Sequence, residues 1–144
     1  MENEISEIWS KDSKINENDL MNELRNIPSL HSKYYNMYFN EALRVKKLKG
    51  DYKELEMDKR DYYSGEMAEE DLRVRGWKPF QRKVIRADLD KHIQSDKDII
   101  KLSLRIDFHT ENANYLESII KTIHSRNFII KSMVDVIKFQ AGEY

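Results

Sequence analysis

From Ile99 to Ile137 the chain repeats in steps of three and four: Ile99, Leu102, Ile106, His109, Ala113, Leu116, Ile120, Ile123, Asn127, Ile130, Val134 and Ile137. That alternation is the roughly 3.5-residue period of a helix with one buried seam, which a strand with its two-residue period cannot bury. A straight helix of this extent would run about 58 Å at ~1.5 Å per residue, longer than a compact domain of this size needs. Two readings follow. Either the helix is continuous and Asn127 is a polar core residue that fixes register, or Ser125-Arg126-Asn127 marks a kink or a second helix start, with Asn127 as a cap. The seam follows Ser95-Asp96-Lys97-Asp98, which has the form of a capping box with Ser95 as the cap.

A second periodic series precedes it. Leu30, Tyr34, Met37, Tyr38, Ala42, Val45, Leu48, Tyr52, Leu55 and Tyr62 line one side of a long helix expected over residues 28–64. Pro28 suits its first turn, Gly50 weakens it without ending it, and Ser64-Gly65 closes it. Asn16 or Asn18 is a cap candidate for a shorter helix ending near Asn26. Residues 65–86 read as a basic, aromatic linker with a short helix from Ala68 to Val74 stopped by Gly76, and a loop at Gly76-Trp77-Lys78-Pro79-Phe80. Residues 87–144 hold the C-terminal helices, beginning with a short one from Ala87 to Gln94. Only 4 Gly and 2 Pro occur in 144 residues, too few to punctuate a β-rich fold. The expected fold is all-α, a helical hairpin-like chain forming one domain over residues 16–144 behind an acidic segment, 1–15, that is a tail or a docking helix.

The net charge of −1 conceals an uneven distribution. Met1 to Ser32 carries seven acidic and three basic residues, whereas Arg73 to Arg86 carries six basic residues and no acidic one. There is no cysteine, which excludes disulfides and thiolate chemistry. His31, His92, His109 and His124 are scattered without metal-ligand spacing, and the isolated glycines at 50, 65, 76 and 142 form no phosphate loop. No catalytic constellation, metal site or cofactor is expected. Neither a signal peptide nor an apolar run approaching a membrane span is present, so a cytoplasmic location is expected.

Binding chemistry has better candidates. Lys46, Lys47, Lys49, Lys53, Lys59 and Arg60 crowd one predicted helix, and Arg73, Arg75, Lys78, Arg82 and Lys83 fall in the acid-free stretch. Single-stranded nucleic acid needs cations for its phosphates and flat rings for its bases. Tyr62, Tyr63, Trp77 and Phe80 lie among these cations, although core packing is the leading role for those rings. The competing reading is a helical adaptor between proteins, whose lysines only keep an oligomer dispersed.

Four motifs occur in order: Asp61-Tyr62-Tyr63-Ser64-Gly65, Gly76-Trp77-Lys78-Pro79-Phe80, Ser95-Asp96-Lys97-Asp98, and Ser125-Arg126-Asn127-Phe128-Ile129-Ile130-Lys131-Ser132 continued by Lys138-Phe139-Gln140-Ala141-Gly142. Over about residues 28–142 they resemble the UvsY-type recombination mediators of T-even-like phages. The resemblance implies single-stranded DNA binding, contact with a phage single-stranded-DNA-binding protein, loading of a RecA-like recombinase of the UvsX type, and no catalytic step. It also implies a closed homo-oligomeric ring, described as heptameric, assembled through the C-terminal helices and working in the infected host's cytoplasm. The oligomerisation positions are Leu116, Ile120, Ile123, Phe128, Ile130, Val134, Ile137 and Phe139. Lys59 and Arg60 stand where the family's DNA-binding cations precede the Asp-Tyr-Tyr-Ser-Gly motif, more closely spaced than the family's basic pair.

Overall fold

The long apolar series around Tyr34 and Leu48 folds as one helix, Leu20–Ser64, designated α2 in a computed structural model that describes residues 4–80 and 84–142. Around it lie α1 (Glu4–Asp12), α3 (Glu69–Arg75), α4 (Leu89–Gln94), α5 (Lys97–His124) and α6 (Arg126–Gln140). The described residues are all-α, with no strand. They group into two compact units, one of residues 1–42 and 110–144 and the other of residues 43–109.

In the first unit, Ile5, Tyr34, Leu116, Ile119 and Ile123 form the core, with Ile8, Trp9, Leu30, Met37, Tyr38, Tyr115 and Ile120 packed against it. The acidic N-terminal segment is a docking helix. Ile5 is buried, Trp9 meets Tyr34 edge-on at 5.3 Å between ring centroids, and Asp12 accepts hydrogen bonds from Lys33 Nζ (2.6 Å) and the Tyr34 hydroxyl (2.9 Å). Burial opposes ionisation of Asp12, but these two donors, with the charges of Lys33 and Arg126, hold its carboxyl below the ordinary value. Desolvation, then the Asp12 carboxylate, raises the Tyr34 phenol.

Two sequence expectations change here. No helix ends near Asn26: α2 starts at Leu20 and passes through Pro28, whose missing N–H leaves a ladder bond unmade. Ile27 and Leu30 pack on the same core on either side of the proline, which keeps the helix continuous. Asp19, rather than Asn16 or Asn18, stands before its first turn and accepts from Asn22 N–H at 3.4 Å.

The C-terminal seam resolves into two helices. Ser125 interrupts the run, and its N–H and hydroxyl both turn back to the Lys121 carbonyl at 3.3 Å. Ile99 is buried as expected, and from residue 109 the buried residues are His109, Asn112, Leu116, Ile119, Ile123, Arg126 and Ile130, a 3-4 series that keeps His109, Leu116, Ile123 and Ile130. Its alternate positions fall one residue before the expected Ala113, Ile120 and Asn127. Asn127 is exposed at the start of α6, outside the core of the protomer.

In the second unit, Leu89, Ile93 and Ile99 form the core under Tyr52, Leu55, Tyr63 and Val84. Gly76 ends α3 in the left-handed region (φ 69°), where its N–H bonds to Arg73 O and the Trp77 N–H to Leu72 O. Asp96, not Ser95, caps α5. Its Oδ1 accepts from the N–H groups of Asp98 (2.8 Å) and Ile99 (3.2 Å), while the Ser95 hydroxyl donates back to Lys91 O.

Candidate nucleic-acid interface

Helical geometry divides the cations of α2 between two faces. Lys46, Lys49, Lys53 and Arg60 follow at steps of three, four and seven residues, which aligns them along one exposed side of the helix. Lys47 is exposed beside them. Among the described residues no carboxylate lies within ion-pairing distance of Lys46, Lys47, Lys49 or Lys53. Arg60 is exposed but engaged, bonding Asp90 at 2.8 Å with Glu56 at 3.9 Å.

Lys59 falls on the opposite face, with Leu48, Tyr52 and Leu55, and only 4% of it is exposed. Its ammonium lies 2.9 Å from Asp98, 3.1 Å from Asp96, and 3.9 Å from the centre of the Trp77 ring. The remaining Asp96 valence takes the Tyr63 hydroxyl at 2.6 Å. Burial works against an ionised Asp96, yet the Tyr63 hydroxyl, Lys59 and the Ile99 amide together keep its carboxyl below the ordinary value. Desolvation and the bond to Asp96 raise the Tyr63 phenol. A desolvated cation over an indole contributes about 2 kcal/mol, and a buried pair stripped of one partner costs about 3–5 kcal/mol.

The rings complete this cluster. Tyr62 meets Trp77 at 5.3 Å and Tyr63 at 5.1 Å, Phe80 meets Tyr63 at 4.9 Å, and His92 closes on Tyr63 at 5.6 Å. All are half-buried, and the Tyr62 hydroxyl donates to the carbonyl of Lys78. These rings pack mainly on one another. The loop is thereby fixed with Lys78 exposed. Arg75 is held by Asp58 at 3.1 Å and Arg73 is exposed near Glu69, 3.9 Å away. Arg82 and Lys83 lie outside the described residues.

Ile130 of α6 is 0% exposed, and Leu116 and Ile123 of α5 belong to the first-unit core. Ile120 and Val134 are half-buried. Phe128 (72% exposed), Ile137 and Phe139 (67%) face outward. Phe128, Ile129, Met133, Val136 and Ile137, with Glu17, line an open groove of about 570 Å3. Two features escaped the sequence reading. Arg126 is buried and bonds the carbonyls of Ser13 and Lys14 and the carboxylate of Glu23 (2.9 Å), tying α6 to the N-terminal segment. Asp96 and Asp98 hold Lys59, although both lay inside a motif read only as a cap.

Residues 8–143 match the family model described as "Recombination, repair and ssDNA binding protein UvsY". The chain belongs to the UvsY family. It is similar to the recombination protein uvsY of Enterobacteria phage T4, 23% identical over 140 residues, 97% of either chain. Crystal structures of the bacteriophage T4 recombination mediator protein UvsY share its fold. One lattice form gives a TM-score of 0.80 at 22% identity, covering 94% of this chain and 96% of that one. A second gives 0.79 at 23% identity, covering 95% of both. This UvsY-family member is therefore a recombination, repair and single-stranded-DNA-binding protein of all-α fold. No helix among its described residues is long and apolar enough to cross a membrane.

Proposed function

We propose that the protein is a recombination mediator without a catalytic step, acting in the infected host's cytoplasm. It holds single-stranded DNA along the exposed cationic side of α2 and loads a RecA-like, UvsX-type recombinase onto strands coated by a phage single-stranded-DNA-binding protein. The observation that carries the DNA reading is the row Lys46, Lys49, Lys53, without ion pairs among the described residues and continued by exposed Arg60. Unpaired lysines keep their charge available to phosphates, and each neutralised phosphate releases counterions. Lys47, Lys78, Arg73 and Arg75 flank this row in sequence, Arg75 at the cost of its bond to Asp58.

The exposed apolar residues of α6 support self-association: Phe128 is 72% exposed, Ile137 46% and Phe139 67%. The reading places these three at the surface between copies, with Ile120 and Val134 beneath them. Leu116, Ile123 and Ile130 stabilise the protomer that assembles. The oligomer is a closed ring, and seven is the count that the family resemblance implies.

The direct test times recombinase filament formation on coated strands with and without the protein, alongside its affinity for bare strands at three salt concentrations. A shortened lag and a steep salt dependence are expected. Equal lags would sink the loading role, and no detectable strand binding at low salt would favour the protein adaptor.

A further inference from the structure

Lys59 and Arg60 are adjacent in sequence and opposite in circumstance. A residue that neutralises a phosphate must bring its charge to the surface, and Arg60 does so by exchanging the solvent-facing Asp90 for a phosphate. Lys59 has no such exchange open to it. Its side chain is 5% exposed, its two carboxylate partners belong to the start of α5, and its third neighbour is the Trp77 ring. Pulling it out would leave Asp96 as a buried charge without its cation and empty the space under the indole. What Lys59 does from within is join three segments: α2, which carries the exposed cations, the N-terminus of α5, and the Trp77 loop, which carries the exposed Lys78 and follows Arg75 of α3.

We infer that Lys59 is a positioning residue for single-stranded DNA. It clamps the Gly76–Phe80 loop against α2 through Trp77, Asp96 and Asp98 without itself meeting a phosphate. The inference rests on the DNA reading above and gives each of the two neighbouring cations a different task. Side chains already held in place need not be immobilised when the strand arrives, so the clamp raises affinity without adding a contact. Losing it loosens the loop in the free protein. The strand can still recruit the same cations, so the number of neutralised phosphates stays the same.

The test uses the full chain in a Trp9→Phe background, so that Trp77 is the sole tryptophan. Three variants are compared: Lys59→Met, Lys59→Arg and Arg60→Gln. Lys59→Met is expected to red-shift Trp77 emission before any DNA is added and to lower strand affinity by about fivefold or more. Its salt slope should be that of the parent. Arg60→Gln should leave the emission unchanged and lower the slope by about 0.7, the value of one phosphate contact on a single strand. Lys59→Arg, which can still pair with both aspartates over the ring, should restore emission and affinity. Unchanged emission in Lys59→Met, or a slope reduced like that of Arg60→Gln, overturns the assignment. If Lys59→Met fails to fold by circular dichroism, Asp98→Asn decides, because Asp98 is half-exposed and can be changed without burying a void. A shifted emission with weaker binding supports the clamp; unshifted emission, or tighter binding from a released Lys59, overturns it. If the parent binds no strand at any salt, the DNA reading fails, while the emission of the Lys59 variants still judges the clamp.

Discussion

Replacing Asp96 separates what its shape does from what its charge does. In Asp96→Asn the side-chain oxygen still accepts from the Asp98 and Ile99 amides, so the cap of α5 survives, while the amide nitrogen that replaces Oδ2 removes the charge facing Lys59 and leaves the Tyr63 hydroxyl to accept where it had donated. Lys59 keeps Asp98 at 2.9 Å, so the cost should fall below that of an orphaned buried charge, at about 2–3 kcal/mol. Asp96→Ala also removes the cap, worth about 1 kcal/mol, and leaves the Tyr63 hydroxyl without its acceptor, for about 1–3 kcal/mol more. The pH dependence follows from the lowered Asp96 carboxyl. The folded state binds that proton less readily than the unfolded chain does. The stabilisation is therefore complete above the unfolded value of about 3.9 and is lost as pH falls through the lower folded value. Since Asp96→Asn lacks it at every pH, the stability gap between parent and variant should close below about pH 4. Urea unfolding followed by circular dichroism at one fixed protein concentration, from pH 3 to 7, measures this gap. A gap constant over the whole range would refute a role for the charge.

Three other outcomes are expected. Reversing Lys49 and Lys53 to Glu should weaken strand binding and lower its salt slope by about 1.4 with circular dichroism unchanged, which fluorescence anisotropy at several salt concentrations will check. Replacing Phe128 and Phe139 by Ser should remove roughly 1–2 kcal/mol each from the contact between copies and give a lighter particle by light scattering; an unchanged mass would count against the outer side of α6 as the assembly surface. Arg126→Met should free the Ser13 and Lys14 carbonyls and Glu23, costing about 3 kcal/mol and speeding proteolysis within residues 4–19 relative to the parent.

The helices were legible where apolar spacing carried them. Every residue of the series from Leu30 to Tyr62 is buried or half-buried, because a single long helix imposes one period. The break at Ser125 was only one of two readings, since Ser and Asn suit caps and exposed helix positions alike. From residue 112 onward the seam was misregistered by one residue at three alternate positions: at two of them the true members, Asn112 and Arg126, are polar, and at the third the buried Ile119 stands beside the equally apolar Ile120. Pattern reading passes over a polar residue unless its partners are known, and Glu41, which takes Asn112, and Glu23, which takes Arg126, are remote in sequence. The candidate site was legible in type and not in detail. Composition brings Lys59 and Arg60 together as equals; the 100° between successive helix residues puts one in the core and the other in solvent.

That division bears on how a chain of net charge −1 can hold a polyanion. Lys59, Arg75 and Arg126 are spent on intrachain carboxylates, whereas Lys46, Lys49 and Lys53 have no carboxylate partner among the described residues. Such a row is short, and at physiological ionic strength charges more than about 8 Å apart are largely screened, so one protomer offers the strand a local and modest attraction. A row of this kind becomes effective when copies repeat it, because linked sites raise the affinity for one strand by roughly 10²–10⁴ over a single site. The outward apolar side of α6 is the feature that would supply the copies. Strand length then becomes the discriminating variable: the Phe128 and Phe139 variant should bind a short oligonucleotide nearly as the parent does and lose most of its affinity for a long one. Equal losses on both lengths would mean that α6 meets the DNA itself, and equal retention on both would mean that one protomer's row suffices.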